Sequence, residues 1–331
     1  MEPFGYFDRS QLKLLPLSER VHDIRREEIM IDPGNLPSQP FTHESIPAIA
    51  TAMREARERE SAILMACGAH VLRRGNGPLL IDLMRRGLLT NLALNGAGSI
   101  HDFELAMIGA TCESVARYVS EGQFGLWKET SYYNNAVTAG AKDGLGVGES
   151  LGRWIVEHDF PYAETSVLAQ AWKQRCESSH PEIAPKVTVH IAFGQDIVHG
   201  HPGFDPAATG VATYRDFLAF TRNVEKLEGG VFLNIGTAVM GPEVYLKALA
   251  MARNVAHQKR PAQEIRHFTT AVFDVADLGD DIHTTASKND PRYYFRPFKT
   301  VLVRTVADGG KSYYVRGDHR QTVPALYAAL Q

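Results

Sequence analysis

Six short apolar runs, separated by stretches with helical spacing, constrain this chain more than any other feature. The runs are Ala62–Cys67, Leu92–Leu94, Val187–Ile191, Gly230–Ile235, Thr269–Phe273 and Thr300–Val303. Each is too short for a buried helix and suits a strand covered on both faces. Between and around them, 44–59, 77–86, 214–226, 242–254 and 322–330 carry apolar residues at helical intervals, and a further helix is expected from Asp102 onward. Strands alternating with amphipathic helices predict an α/β domain with a mainly parallel sheet and helices on both faces, over residues 44–331. Ahead of it, residues 1–43 are rich in proline and charge, and Pro33-Gly34 and Pro37-Ser38-Gln39-Pro40 interrupt any long element. They read as an irregular N-terminal arm, either a strap over the same core or an embrace of a neighbouring subunit.

Composition narrows the function. With 44% hydrophobic and 22% charged residues the chain buries a large core and is not disordered. A net charge of -3 leaves no basic face for a nucleic acid or an anionic membrane. The partner expected is therefore a small molecule. Cys67, Cys112 and Cys176 are too far apart for a thiol metal site or a redox pair. No apolar leader occupies Met1–Leu15 and no later run reaches the length of a membrane span, so a cytoplasmic location is expected.

In such sheets ligands gather beyond the carboxyl ends of the strands, and five segments stand there. Asn95-Gly96-Ala97-Gly98-Ser99 leaves a strand as a glycine turn suited to an anionic group, with Asp102 just beyond; it lacks the full dinucleotide fingerprint. Asn234-Ile235-Gly236-Thr237-Ala238 is a second such turn, followed by Pro242 and Glu243 at a helix start. Asp196, His199, His201 and Asp205 fall within ten residues, a density that suits acid–base work or, as an alternative, a divalent metal. The acidic loop 274–281, with Asp277, is placed to meet ribose hydroxyls or a cation. Lys299 begins the last apolar run, where desolvation would make its amine nucleophilic.

The order and spacing of these segments resemble deoxyhypusine synthase and its relatives over residues 63–330. Residues 95–102 are similar to that family's Thr-Thr-Ala-Gly-Gly-Val-Glu-Glu stretch, and 234–239 resemble its glycine-rich turn. Lys299 falls where the family's catalytic lysine stands, and Asp318 precedes Pro324 with the family's spacing. The resemblance implies a Rossmann-like fold, NAD as cofactor, a homotetramer, and dehydrogenation of an amine followed by imine formation on Lys299 and aminoalkyl transfer. It implies that Gly96, Gly98, Ser99, Asp102, Asp196, Asn234, Gly236, Thr237, Asp277 and Asp318 hold the cofactor, and that Glu243 or His201 assists the lysine. Near Lys299 the family's polyamine-holding tryptophan and acidic residues are matched by Pro297, Tyr293 and uncharged neighbours, so a different small amine or related metabolite is expected. Two other readings stand beside this one. The first is a metal-assisted hydrolase or lyase built on the 196–205 loop. The second is a nucleotide-binding protein without catalysis.

Overall fold

The computed structural model describes residues 4–36, 40–259 and 264–331. Part of the Pro37–Pro40 interruption therefore lies outside the described residues. Six strands form one sheet: β1 (Ile63–Cys67), β2 (Asn91–Asn95), β3 (Lys186–His190), β4 (Val231–Ile235), β5 (Thr269–Asp274) and β6 (Lys311–Arg316). All neighbours pair in parallel, in the spatial order β3-β2-β1-β4-β5-β6. Nine helices of nine or more residues are found among the described residues: α1 (Ser45–Glu58), α2 (Gly77–Arg85), α3 (Gly96–Ile108), α4 (Thr130–Lys142), α5 (Val147–Glu157), α6 (Val167–Glu177), α7 (Pro206–Val224), α8 (Met240–Gln258) and α9 (His319–Ala329).

Residue alternation within the strands separates two apolar layers. Ile63, Met65 and Cys67 of β1 pack with α1, α2, α3, α5 and α9, whereas Leu64 and Ala66 pack with the end of α7 and with α8. With both faces covered, the sheet is the doubly wound, Rossmann-like α/β arrangement expected from the alternating runs.

One expected strand is not a strand. Thr300–Val303 lies within a π-helical turn, Pro297–Arg304, which lays Phe298, Val301 and Leu302 on the second layer. β-branched residues fit a pleated surface, but here the buried Thr305 hydroxyl donates to the Thr300 carbonyl at 3.0 Å and keeps the segment wound. The sixth strand is instead Lys311–Arg316, an edge strand with polar and exposed positions that hide its pattern. The third helix also begins earlier than expected: Gly96–Ser99 is its first turn rather than a loop, with Asn95 as cap accepting from the Gly98 amide at 2.9 Å.

Described residues of the N-terminal arm strap the same chain. Ile24–Arg25 pairs antiparallel with Ala110–Thr111, and the Leu17 amide donates to Glu129 at 2.7 Å.

Strands β1 and β4 leave the sheet through Gly68 and Gly236, whose backbones nearly touch. A β-carbon on Gly68 would stand 2.0 Å from the Gly236 carbonyl oxygen. Backbone atoms inside a paired sheet do not yield, so Gly68→Ala should cost about 1–3 kcal/mol or more through overpacking. At Gly144, which has a positive φ of 82° and open space around it, alanine should cost only about 1 kcal/mol, a purely conformational term. Urea denaturation of the two variants checks the difference; equal losses would show that the contact is not rigid.

Candidate functional site

Strand order reverses between β1 and β4. There the chain turns to opposite faces, the place beyond the carboxyl edge where doubly wound sheets gather ligands. Gly236 has a φ of +59°, and the buried His319 lies over its backbone, so that a β-carbon there would meet Nε2 at 2.3 Å. The other ring nitrogen of His319 is buried without a partner. Asp318 caps α9 by accepting from the Arg320 amide at 2.8 Å, and it pairs with Arg74 at 2.9 Å. His70 lies in the electrostatic reach of Arg73, Arg74 and Asp318, and burial holds its imidazole below the usual range. Sequence reasoning missed His70, Arg74 and His319. Their signal was faint: His70 and His319 each stand three residues past a strand exit, and Arg74 lies a helical turn beyond His70.

A cavity of ≈ 570 Å³ opens at the same edge over β2 and β3. It is of a size that takes a small metabolite. Its walls bring together Arg20 and Asp23 from the N-terminal arm, Arg73, His101 and Glu104 of α3, Cys112, Glu113 and Asp196. One chain of hydrogen bonds organises it. Arg20 donates to Glu104 at 2.6 Å, the Thr111 hydroxyl donates to the other Glu104 oxygen at 2.6 Å, and His101 Nδ1 stands 2.7 Å from that hydroxyl. Because the Thr111 proton is committed to Glu104, His101 Nδ1 must be the donor, which leaves Nε2 as the basic nitrogen. Burial pushes the His101 imidazole down to about 4, so it is neutral near pH 7, with Nε2 unprotonated.

Cys112 Sγ lies 3.8 Å from His101, on a backbone with φ of +65° that is strained for a non-glycine residue. Burial raises its thiol above the usual range, so it is not a thiolate nucleophile. A smaller cleft, ≈ 240 Å³, lies at the amino end of β3, the edge opposite to that where doubly wound sheets hold ligands.

The residues expected to hold a cofactor separate into two sets. Ser99 donates to the Gly96 carbonyl and bonds Tyr133, both at 2.7 Å, and is buried. Asp102 is turned inward, accepting from Ser166 and from the amides of Val167 and Leu168 at the start of α6. Asn234 donates to the Thr237 carbonyl at 3.0 Å, and the Thr237 hydroxyl accepts from the Gly241 amide at 3.0 Å. These side chains build the turns. Gly96 and Gly98 begin α3, but its amino end is filled by Asp196: a β-carbon on Gly96 would be 2.0 Å from that carboxylate, which also accepts from Ala97. An anion placed there must displace Asp196. Of this set, Asp277 and Asp318 keep exposed carboxylates at the carboxyl edge, Asp277 paired with Arg316 at 2.8 Å and Asp318 with Arg74.

Lys299 is buried, as the desolvation argument expected, but on the π-helical turn. Its Nζ lies 4.0 Å over the Tyr293 ring, and among the described residues no carboxylate is within ion-pairing distance. Glu243 lies in its electrostatic reach, but it pairs with Lys247 and with Arg296 at 3.1 Å; the Lys247 contact holds it below the usual carboxylate range, so it is no poised base. His201 follows β3, at the far edge of the sheet from β5 and β6, so it cannot join Lys299. In the 196–205 loop, His199 accepts from the Asp196 amide, His201 from the Gly203 amide, and Asp205 from Ala207 and Ala208 as the cap of α7. Among the described residues no three histidines, cysteines or carboxylates are gathered around a common point that would hold a metal ion. The Nδ1 atoms of both histidines and the Asp205 carboxylate serve backbone geometry, while Nε2 of His199 and of His201 is buried without a partner.

No family model matches the chain, and no curated protein matches it. Among solved structures it is similar to an apo arginine dihydrolase, ArgZ, of the ornithine–ammonia cycle in cyanobacteria, with 16% identity and a TM-score of 0.48 over 88% of this chain and 33% of that one. It is also similar to a conserved LOR/SDH protein from Methanococcus maripaludis, with 14% identity and a TM-score of 0.47 over 89% of this chain and 73% of that one. A third is AgrE in a ternary complex with ornithine and NAD+, with 12% identity and a TM-score of 0.48 over 88% of this chain and 34% of that one. The chain thus spans about a third of the length of ArgZ and of AgrE.

Asp196 has its carboxyl pushed up to about 6 by burial, against an ordinary 3.8. A carboxyl with a raised folded value binds its proton more tightly in the native state, so stability falls as pH rises from about 4 to 6. Asp196→Asn should flatten that part of the curve. Denaturation midpoints between pH 4 and 7 measure it, and an unchanged slope would mean that the carboxylate is solvated.

Proposed function

We propose that this chain is a dinucleotide-dependent enzyme, similar to deoxyhypusine synthase, that oxidises a small amine or related amino compound. The observation that carries the reading is the reversal of strand order between β1 and β4, with the ≈ 570 Å³ cavity at the same edge. The residues at this edge fit a nicotinamide dinucleotide. Gly68 and Gly236 let the two strand exits approach closely, His319 offers a buried unpartnered nitrogen, Arg74 supplies positive charge, and Asp277 and Asp318 suit ribose hydroxyls. Such a cofactor, when bound, supplies a hydride acceptor. This chain's share is to hold the substrate and take the proton. Carboxylates outnumber guanidinium groups on the cavity wall, which suits a cationic amine, and His101 Nε2 is the proton acceptor.

Thermal unfolding with NAD+, NADH and ADP tests the cofactor. A ligand at about 100 times its Kd adds roughly 2.7 kcal/mol, so the midpoint should rise with the nicotinamide forms. No rise with any nucleotide would remove the reading.

The buried amine of Lys299, within electrostatic reach of Glu243 after β4, favours a second route away from that cavity, in which an amine oxidised beside the β4 exit is captured as an imine on that lysine and passed on. Borohydride reduction during turnover should then leave a stable adduct on Lys299, and Lys299→Ala should abolish transfer while NAD binding persists. Turnover retained in the variant, with no adduct in the parent, would end that route.

A further inference from the structure

The cavity carries one feature that an amine alone does not explain. Arg20 is 5% exposed, and its Nη1 is used by Glu104, while Nη2 is buried with no hydrogen-bond partner. Arg73, on the same wall, has a buried Nε that is also unpartnered, and among the described residues no carboxylate lies within ion-pairing distance of it. A buried N–H of a charged group without an acceptor is costly, and two of them, on guanidinium groups from separate segments that line one cavity, become satisfied if those groups turn to meet ligand oxygens there. The protein's own carboxylates are otherwise engaged. Glu104 accepts from Arg20 and Thr111, and Glu113 from the Gly125 amide at 2.8 Å and from Trp127 at 2.7 Å.

We propose that the substrate of this cavity is an amino acid, its carboxylate held by Arg20 and Arg73 and its ammonium group facing Asp196 and Asp23. This rests on the amine-oxidising reading above for the ammonium half only; the carboxylate half stands on the two unpartnered guanidinium groups. Planar guanidinium forks match a carboxylate in geometry as well as charge. Asp196 and Asp23 lie on the same wall, and Asp23 is exposed at its rim.

The test is a binding screen on the full chain, by thermal shift and then calorimetry, with the common L-amino acids. For the strongest binder its decarboxylated amine and its α-deaminated acid are added. At least one amino acid should bind, and the decarboxylated amine should bind about 10- to 100-fold more weakly, the scale of a lost charged hydrogen-bond pair. Arg73→Gln should lose the amino acid by a similar factor and leave the decarboxylated amine unaffected. Arg20→Lys, which keeps a positive charge beside Glu104 and so guards against misfolding, should also weaken the amino acid. An amine that binds as tightly as its parent amino acid would overturn the proposal, as would an Arg73→Gln variant that binds normally, or a screen in which no amino acid binds. The two readings fail separately: carboxylate-dependent binding without any nucleotide effect sinks the cofactor, and nucleotide binding without amino acid binding sinks the substrate.

Discussion

Residues 63–67 and 231–235 stand far apart in the chain yet pair directly, and neither strand exposes a side chain on either face of the sheet. A parallel pair of this kind cannot be closed by a tight turn, so each strand needs a helical crossover. Because β1 continues toward β2 and β4 toward β5, the two crossovers must leave in opposite directions. The glycines at the two exits follow from that geometry, since the backbones diverge from the point of closest approach. So does the place for a ligand beyond the carboxyl edge, and so does the restriction of polar chemistry to one rim of an otherwise apolar sheet.

Charge is distributed accordingly. Within the layers the buried polar groups are spent on caps: Asp102 on α6, and Asp216 on the amides of Gly148 and Val189. At the rim they remain partly uncommitted, as in His319, Arg73 and Arg20. Buried groups without partners are uncommon in folded proteins, so Arg20 and Arg73 at the cavity and His319 at the β4 exit mark places where a ligand would complete the hydrogen bonding.

Much of the architecture was legible because strands buried on both faces are written as continuous apolar runs. Five of the six runs are strands. The sixth failed because Thr300-Val301-Leu302-Val303 has strand composition and a helical hydrogen-bond partner, and the strand it displaced, Lys311–Arg316, is an edge strand whose alternation is broken by exposure. The site was less legible. Local motifs such as Gly96–Ser99 and His199–His201 attracted attention, yet they serve the backbone. The working chain runs through Arg20, Glu104, Thr111 and His101, gathered from an arm, a helix and a two-residue strand. None of the four stood out in the sequence, because the helix was expected to begin only at Asp102 and the arm and the two-residue strand carry no periodicity.

Arg20 comes from a segment that crosses the molecule's surface and is tied down by a two-residue ladder, a few side-chain bonds and the packing of Leu17 against Tyr118 and Trp127. Freeing that segment exposes far less apolar surface than opening the sheet, so it belongs to the low end of the local stability range. The cavity that Arg20 lines therefore depends on a segment held more weakly than the sheet. Local release of the N-terminal strap would open the cavity while the sheet and its helices stay intact, so the strap's own contacts set how often the cavity is complete.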